Sequence, residues 1–246
     1  MKLYYILAFG TLLCSQLCSS ASAAMASEEP YNSGIVIRWK DCKQRIDGFG
    51  IAQAGWTKEL FAFKNREQVM DKMFGKDGLR LNILRGEIFP HYWENETDKD
   101  FNLNDDIHIE LSDSDFINKS DDLLRRGQLW LTLKAKNKYH ISKLVFSTWS
   151  APAWMKSNGK VSNGRLKTEC YTDFANYLAA FYNAYKSKGI APYAISPSNE
   201  PGYAAPWNSS LWTADEMGKF ITSYLGPTFR KENIPAKIIF GENPLW

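Results

Sequence analysis

The feature that most constrains this chain is the alternation of short apolar runs with longer segments of helical periodicity. Apolar runs typical of buried strands start near residues 46, 79, 144, 193 and 237. Helical segments separate them, and this β-α alternation predicts a parallel sheet with helices packed outside it. Two architectures remain open on pattern alone: the first five βα units of an eight-stranded barrel, or a complete five-stranded doubly wound sheet.

The segments between the runs carry recognisable helix signals. Thr213 and Glu216 have the spacing of a capping box and predict a helix over 213–229. Gly189 stands where the preceding helix is expected to end. The apolar face of that helix is predicted to consist of Phe174, Tyr177, Leu178, Phe181 and Tyr185. Two further helices are predicted, over Arg66–Phe74 and Leu129–Lys138, and a long polar loop from Arg85 to about Asp115.

The first 26 residues have the composition of a secretory leader. Lys2 is their only charged side chain, an apolar run extends from Leu3 to Leu13, and small residues follow as in a signal peptidase site. We therefore expect residues 1–26 to be a signal peptide and the mature protein to be secreted, extracellular or periplasmic. Residues 27–45 are expected to form an N-terminal β-strand segment of a side β-structure, with the strand at 35–39. Cys42 and Cys170 are interpreted as small buried residues.

Charge and motif content exclude several classes of protein. The 30 basic and 27 acidic residues give a net charge of +3 without a long run of like charge, which argues against a nucleic-acid partner. The three histidines are well separated, so no zinc-like spacing occurs. Neither a phosphate-binding loop nor a Gly-x-Ser-x-Gly nucleophile elbow is found. We therefore expect no cofactor, no metal and no stable membrane span, and the oligomeric state is left open.

Polar and aromatic residues gather just after the predicted strands, at the edge where parallel sheets bind ligands. The third strand is followed by a loop that contains Trp149 and Trp154. Asn199-Glu200-Pro201 follows the fourth strand, with Tyr203 and Trp207 after it. A carboxyl beside an amide suits a sugar-cleaving general acid with a hydroxyl-binding neighbour, and aromatic rings suit flat sugar faces. The alternative interpretation of the loop with Trp149 and Trp154 is that its rings pack into the hydrophobic core and contact no ligand.

Three motifs in this order, each at a strand end, resemble glycoside hydrolase family 30. They are IDGFG at 46–50, WSAPAWMKSNG at 149–159 and YAISPSNEP at 193–201. That family includes glucosylceramidases, endo-xylanases, β-1,6-glucanases and β-1,6-galactanases. The resemblance implies the α/β class and a TIM (β/α)8 barrel, of which residues 46–246 supply about the first five βα units. Pro197-Ser198 departs from the Val-Gln of many relatives.

The resemblance also implies roles for individual residues in a retaining β-glycosidase that acts on a polysaccharide or glycoconjugate. Glu200 matches the acid/base, Asn199 the contact to the sugar 2-hydroxyl, and Arg85 a residue that orients the nucleophile, with a surface arginine as the alternative. Substrate contacts are expected from Trp149, Trp154, Tyr203, Trp207 and Glu242. In that family the nucleophile lies on a seventh strand, and residues 46–246 are expected to supply only about the first five. A truncated, inactive chain is therefore expected, with a non-catalytic carbohydrate-binding remnant as the alternative.

Overall fold

The computed structural model describes residues 38–53, 56–90 and 123–242. The expected signal peptide, most of the segment 27–45 and the polar stretch after residue 90 lie outside these described residues. The chain divides into two units, and in the first, which ends at Asp47, residues 38–47 form an exposed loop. Within that loop the Asp41 N–H donates to the Arg38 carbonyl at 3.0 Å. Cys42 is exposed, so its expected burial is wrong, whereas Cys170 in the second unit is buried.

The second unit contains a parallel sheet of five strands in its described residues. These strands are β1 (Gly50–Ala52), β2 (Ile83–Ile88), β3 (Lys143–Thr148), β4 (Ala194–Ser196) and β5 (Lys237–Ile238). Each strand pairs with the next one along the chain, in the order β1-β2-β3-β4-β5. A doubly wound sheet reverses its strand order at a switch point, whereas a barrel does not. The observed order therefore favours a barrel segment over the doubly wound alternative.

Helices connect these strands largely as predicted. They are α1 (Thr57–Ala62), α2 (Arg66–Phe74), α3 (Leu123–Tyr139), α4 (Tyr171–Ser187), α5 (Ala214–Phe220) and α6 (Gly226–Lys231). The capping box at Thr213 and Glu216 is present, and Gly189 has the left-handed φ of +79° that ends α4. One π-helical turn separates α5 from α6, because Pro227 at the start of α6 lacks the N–H of a regular turn. No helix in the described ranges is long and apolar enough to cross a bilayer.

The core lies between the sheet and the surrounding helices, and α4 contributes the largest share of it. All five residues predicted for the apolar face of α4 are buried, which confirms the periodicity argument. On β3, the Phe146 ring lies 5.0 Å from the Phe181 ring and 4.9 Å from the Tyr185 ring, measured between centroids. Edge-to-face contacts of this kind add to the burial of apolar area. They fix α4 against the middle of the sheet and so fix the strand ends that carry the site.

The predicted starts of the first two strands, near residues 46 and 79, are each wrong by four residues, since β1 begins at Gly50 and β2 at Ile83. Leu79 is 72% exposed and lies before β2, whereas Leu84 and Ile88 are buried on the helix-facing side of the strand. Arg85 and Glu87 alternate with them and therefore face the other side of the sheet. The Gln128 side chain accepts from the Glu87 N–H at 2.6 Å and donates to the Glu87 carbonyl at 2.8 Å. The first residues of the predicted polar loop are thus a firmly held strand.

Candidate active site

A cluster of polar side chains joins the carboxyl ends of several strands. Arg85 Nη2 donates to Asn199 Oδ1 and to Glu242 Oε2, each at 2.6 Å. Ser147 Oγ donates to the same Glu242 oxygen at 3.0 Å. Asn199 and Glu242 also form a parallel bridge just beyond the ends of β4 and β5. The cluster therefore ties together β2, β3 and the loops after β4 and β5.

Arg85 is the residue that organises this cluster. Its side chain is 24% exposed and that of Glu242 is 20% exposed, so the ion pair is far less hydrated than a surface pair. The guanidinium carbon lies 4.6 Å from the centroid of the Trp149 ring, close enough for a cation–π contact. Arg85 is therefore not a surface arginine, and it brings the predicted residues Asn199, Glu242 and Trp149 together.

The contact with Arg85 also decides how the Asn199 amide is oriented. Its Oδ1 accepts from a donor-only guanidinium, so its Nδ2 must face the other way. There Nδ2 donates to Glu200 Oε2 at 3.3 Å. The two residues of the predicted catalytic pair are thus in contact through a fixed amide.

Glu200 has a backbone conformation that non-glycine residues rarely adopt. Its φ is +46°, in the left-handed region. Hydrogen bonds hold the turn on both sides: the Asn199 N–H donates to the Thr148 carbonyl at 2.6 Å, and the Tyr203 N–H donates to the Glu200 carbonyl at 2.9 Å. Local strain held in this way is concentrated at functional sites.

Aromatic rings lie near the cluster, but not all of those predicted. Tyr203 is 43% exposed and Trp207 is 54% exposed, and their ring centroids are 6.2 Å apart. Exposed aromatic rings that adjoin a polar site are typical of binding surfaces. Trp154, in contrast, is half-buried and packs against the hydrophobic core.

Trp149 is only partly buried, whereas Phe146 is fully buried in the core, so removal of the two rings should have different effects on stability. Trp149→Ala should lower the free energy of unfolding by about 1 kcal/mol through the lost contact with Arg85. The matched change Phe146→Ala removes a fully buried ring and should cost about 3–5 kcal/mol. Thermal denaturation of both variants measures the difference. An equal loss in both would show that Trp149 is a packing residue.

Glu87 is not among the predicted site residues, and its side chain lies on the same face of β2 as Arg85. Burial raises the pKa of Glu87 to about 7, while the polar side chain of Asn208 and the charge of Arg85 act in the opposite direction. Its Oε1 is buried and has no hydrogen-bond partner among the described residues. The sequence carried no signal for this residue, because a charged residue in an apparent loop is expected to be solvated.

The raised pKa of Glu87 predicts a specific dependence of stability on pH. The folded protein holds this proton more tightly than the unfolded chain, since the pKa rises from 4.5 to about 7. The resulting stabilisation is complete below pH 4.5 and is lost as the pH rises through about 7. Relative to Glu87→Gln, the wild-type protein should lose on the order of 3 kcal/mol across this range. Urea denaturation of both proteins at several pH values tests this, and parallel pH profiles would contradict it.

The fold and the cluster together define a class of protein. Carboxyl groups, an oriented amide and exposed aromatic rings at the carboxyl edge of a parallel barrel segment are the arrangement of a barrel glycosidase. The family model described as the glycosyl hydrolase family 30 TIM-barrel domain matches residues 46–240, which is most of the chain. The chain therefore belongs to glycosyl hydrolase family 30, whose members hydrolyse glycosidic bonds, and the resemblance in the three motifs is confirmed.

Relatives that are named for different activities match the chain at similar levels of identity. It is 28% identical over 213 residues to an endo-1,6-beta-D-glucanase of Neurospora crassa, covering 80% of this chain and 42% of that protein. It is 26% identical over 238 residues to glucuronoxylanase XynC of Bacillus subtilis, covering 94% and 46%. Lysosomal acid glucosylceramidase of Mus musculus is 27% identical over 217 residues, covering 80% and 39%. The chain spans less than half the length of each of these relatives.

Solved structures support the same architecture. SrfJ from Salmonella typhimurium matches with a TM-score of 0.64 and 26% identity, covering 81% of this chain and 44% of that chain. The catalytic domain of GH30 xylanase C from Talaromyces cellulolyticus matches with a TM-score of 0.67 and 23% identity, covering 82% and 48%. At this identity the second likeness shows the fold alone. The barrel expectation is confirmed, and the five strands are one part of such a barrel.

Proposed function

We propose that the protein is an exported retaining β-glycosidase that hydrolyses a polysaccharide, with Glu200 as its acid/base. The observation that carries this proposal is the placement of Glu200 at the end of β4, in contact with Asn199 and through it with Arg85 and Glu242. Membership of the family supports the reaction class. Because the chain spans less than half the length of its relatives, the activity of the whole protein is part of the proposal.

In the proposed mechanism, Glu200 protonates the leaving oxygen and later takes a proton from the incoming water. Asn199 Nδ2 has two hydrogens, one of which reaches Glu200 Oε2. The second remains to donate to the oxygen of the sugar 2-hydroxyl and so to position the sugar beside Glu200. Because Arg85 fixes the amide, this donor is in place before the substrate binds, and no reorganisation is needed during the reaction.

Glu242 has a supporting role in this proposal. Arg85 and Ser147 both donate to its Oε2, and this keeps the carboxylate turned toward them. A nucleophile instead needs an oxygen available for attack on the anomeric carbon, with the two catalytic carboxyls about 5 Å apart. We therefore assign Glu242 to holding Arg85, and we assign the nucleophile to no described residue.

The aromatic rings favour a polymeric substrate over a single sugar. Trp149 lies against Arg85 at the centre of the cluster, whereas Tyr203 and Trp207 lie on the loop after β4 and are exposed. Rings at two places can contact sugars on either side of the bond that is cleaved. Trp154 lies in the loop after β3, and we propose that it anchors that loop to the hydrophobic core rather than contacts sugar.

The activity is tested by incubating the whole protein, including the strand that carries the nucleophile, with xylan, β-1,6-glucan, β-1,6-galactan and glucosylceramide. Proton NMR of the first product reports its anomeric configuration, and we expect hydrolysis of one polysaccharide with retention. An inverted product would refute the retaining mechanism, and a folded protein that cleaves none of the four would refute the activity. Export is tested separately by N-terminal sequencing of the secreted protein, which should lack residues 1–26.

A further inference from the structure

The loop after β3 folds back on itself as a hairpin. The Ser157 N–H donates to the Arg165 carbonyl at 2.8 Å, and the Lys167 N–H donates to the Met155 carbonyl at 2.9 Å. We call residues 155–167 the β3 hairpin. Because its own main chain is paired in this way, it can serve as a support for a neighbouring loop.

The neighbour that it supports is the loop after β4. The Ser209 N–H donates to the Val161 carbonyl at 3.0 Å, and Ser162 forms an antiparallel bridge with Asn208. The main chain of the loop after β4 is therefore attached at this point to the tip of the β3 hairpin.

Ser209 passes this attachment to the residues before it. Its single hydroxyl hydrogen is shared between the carbonyls of Ala205, at 3.0 Å, and Trp207, at 3.2 Å. Its Oγ also accepts from the Asn163 N–H, on the β3 hairpin, at 2.9 Å. We call residues 202–209 the aromatic loop, because they carry two exposed rings of the site. The buried Ser209 thus connects the main chain around these rings to the hairpin.

Lys156, on the β3 hairpin, holds Ser209 from a further direction. Its Nζ donates to the Ser209 carbonyl at 2.6 Å and to Ser150 Oγ at 3.0 Å. The side chain has no exposed surface and forms no ion pair among the described residues, and burial lowers the pKa of its amine to about 8. An amine buried against neutral acceptors costs free energy that its hydrogen bonds recover only in part. What Lys156 contributes is therefore the position of Ser209 rather than stability.

We propose that Lys156 is a positioning residue, which through Ser209 fixes the aromatic loop against the β3 hairpin and thereby sets the affinity for sugars stacked on its two rings. The proposal rests on the glycosidase function proposed above. The hydrogen bonds of Lys156 go to Ser150 and Ser209, outside the polar cluster around Arg85. The connection should therefore act on substrate binding and not on proton transfer.

The first test removes the buried amine in the whole protein. Lys156→Met should raise KM by about tenfold, the factor that one lost hydrogen bond gives, on whichever of the four glycans is cleaved. The value of kcat should stay nearly unchanged, because a sugar on the rings is held equally in the ground state and the transition state. Lys160→Met, at an exposed position of the same hairpin, is the matched control and should change neither value. A fall in kcat at constant KM would overturn the proposal.

The second test removes the Ser209 hydroxyl. Ser209→Ala should also raise KM by about tenfold, whereas Ser187→Ala, which removes an exposed hydroxyl bonded to a carbonyl within α4, should leave it unchanged. Because both substitutions break one connection, the double variant with Lys156→Met should stay below about thirtyfold. A hundredfold rise, the product of two independent effects, would refute a shared connection.

Amide hydrogen exchange provides a readout that needs no activity. Exchange within 202–209 should be about tenfold faster in Lys156→Met and in Ser209→Ala, while the amides of α4 keep their wild-type rates. Equal acceleration in α4 would mean a general loss of stability and would refute a local positioning role.

The two readouts separate this proposal from the proposed function. If exchange in the aromatic loop is unchanged in both single variants, the positioning role is refuted even in an active enzyme. If the loop loosens while KM stays constant, its role in sugar affinity is refuted. If the whole protein cleaves no glycan but exchange responds as expected, the glycosidase function fails while the restraint on the loop stands.

Discussion

In the whole protein, replacement of Glu200 by glutamine is expected to lower kcat on a polysaccharide by about 10²–10⁴-fold, because an amide cannot protonate the leaving oxygen. Aryl glycosides with good leaving groups need little protonation, so the first step with these substrates should be impaired much less. Comparison of kcat on both substrate types, together with a melting curve, measures the effect. The folded state should survive, since glutamine can still accept the hydrogen bond from Asn199 Nδ2.

The matched control for this variant is Glu232→Gln, at an exposed position after α6. It removes the same charge far from the cluster and should leave both activities unchanged. Equal and mild losses on both substrate types in Glu200→Gln would remove Glu200 from the acid/base role. A large loss on the polysaccharide that aryl substrates escape would support it.

Replacement of Arg85 by methionine is expected to have the next largest effect. It leaves Asn199 Oδ1 and Glu242 Oε2 without their shared donor and removes the contact with Trp149. Because the pair is largely desolvated, stability should fall by about 2 kcal/mol, less than for a fully buried pair. Loss of the fixed amide should lower kcat/KM by about 10²-fold, the effect of misplacing a group that contacts substrate.

The control for Arg85 is a second arginine–carboxylate pair of equal length. Arg165 Nη1 lies 2.6 Å from Glu216 Oε2, but the two side chains are 45% and 34% exposed. Arg165→Met should therefore cost at most about 1 kcal/mol and leave kcat/KM unchanged. If Arg85→Met behaved in the same way, the cluster would have no organising role. Denaturation and steady-state kinetics on both variants decide the matter.

The helices could be predicted from the sequence because their signals are local. The apolar face of α4 repeats with helical period, and Thr213 and Glu216 lie one turn apart, so neighbours along the chain determine both features. The contact between Asn199 and Glu200 could be predicted for a related reason, since the two residues are adjacent in one motif that follows a strand. The position of β2 was missed because Arg85 and Glu87 place charge where a buried strand normally has apolar residues.

The sequence by itself determined the order of strands and helices, the apolar face of α4 and the Asn199-Glu200 pair, because short-range periodicity and contiguous motifs encode them. Only the tertiary structure decided which partners those residues have. Arg85 is 114 residues from Asn199 and 157 from Glu242 in the chain, yet it binds both, since parallel strands bring their carboxyl ends to one edge. The burial of Glu87 and of Lys156 likewise depends on how separate segments of the chain pack together, and no local sequence pattern records that packing.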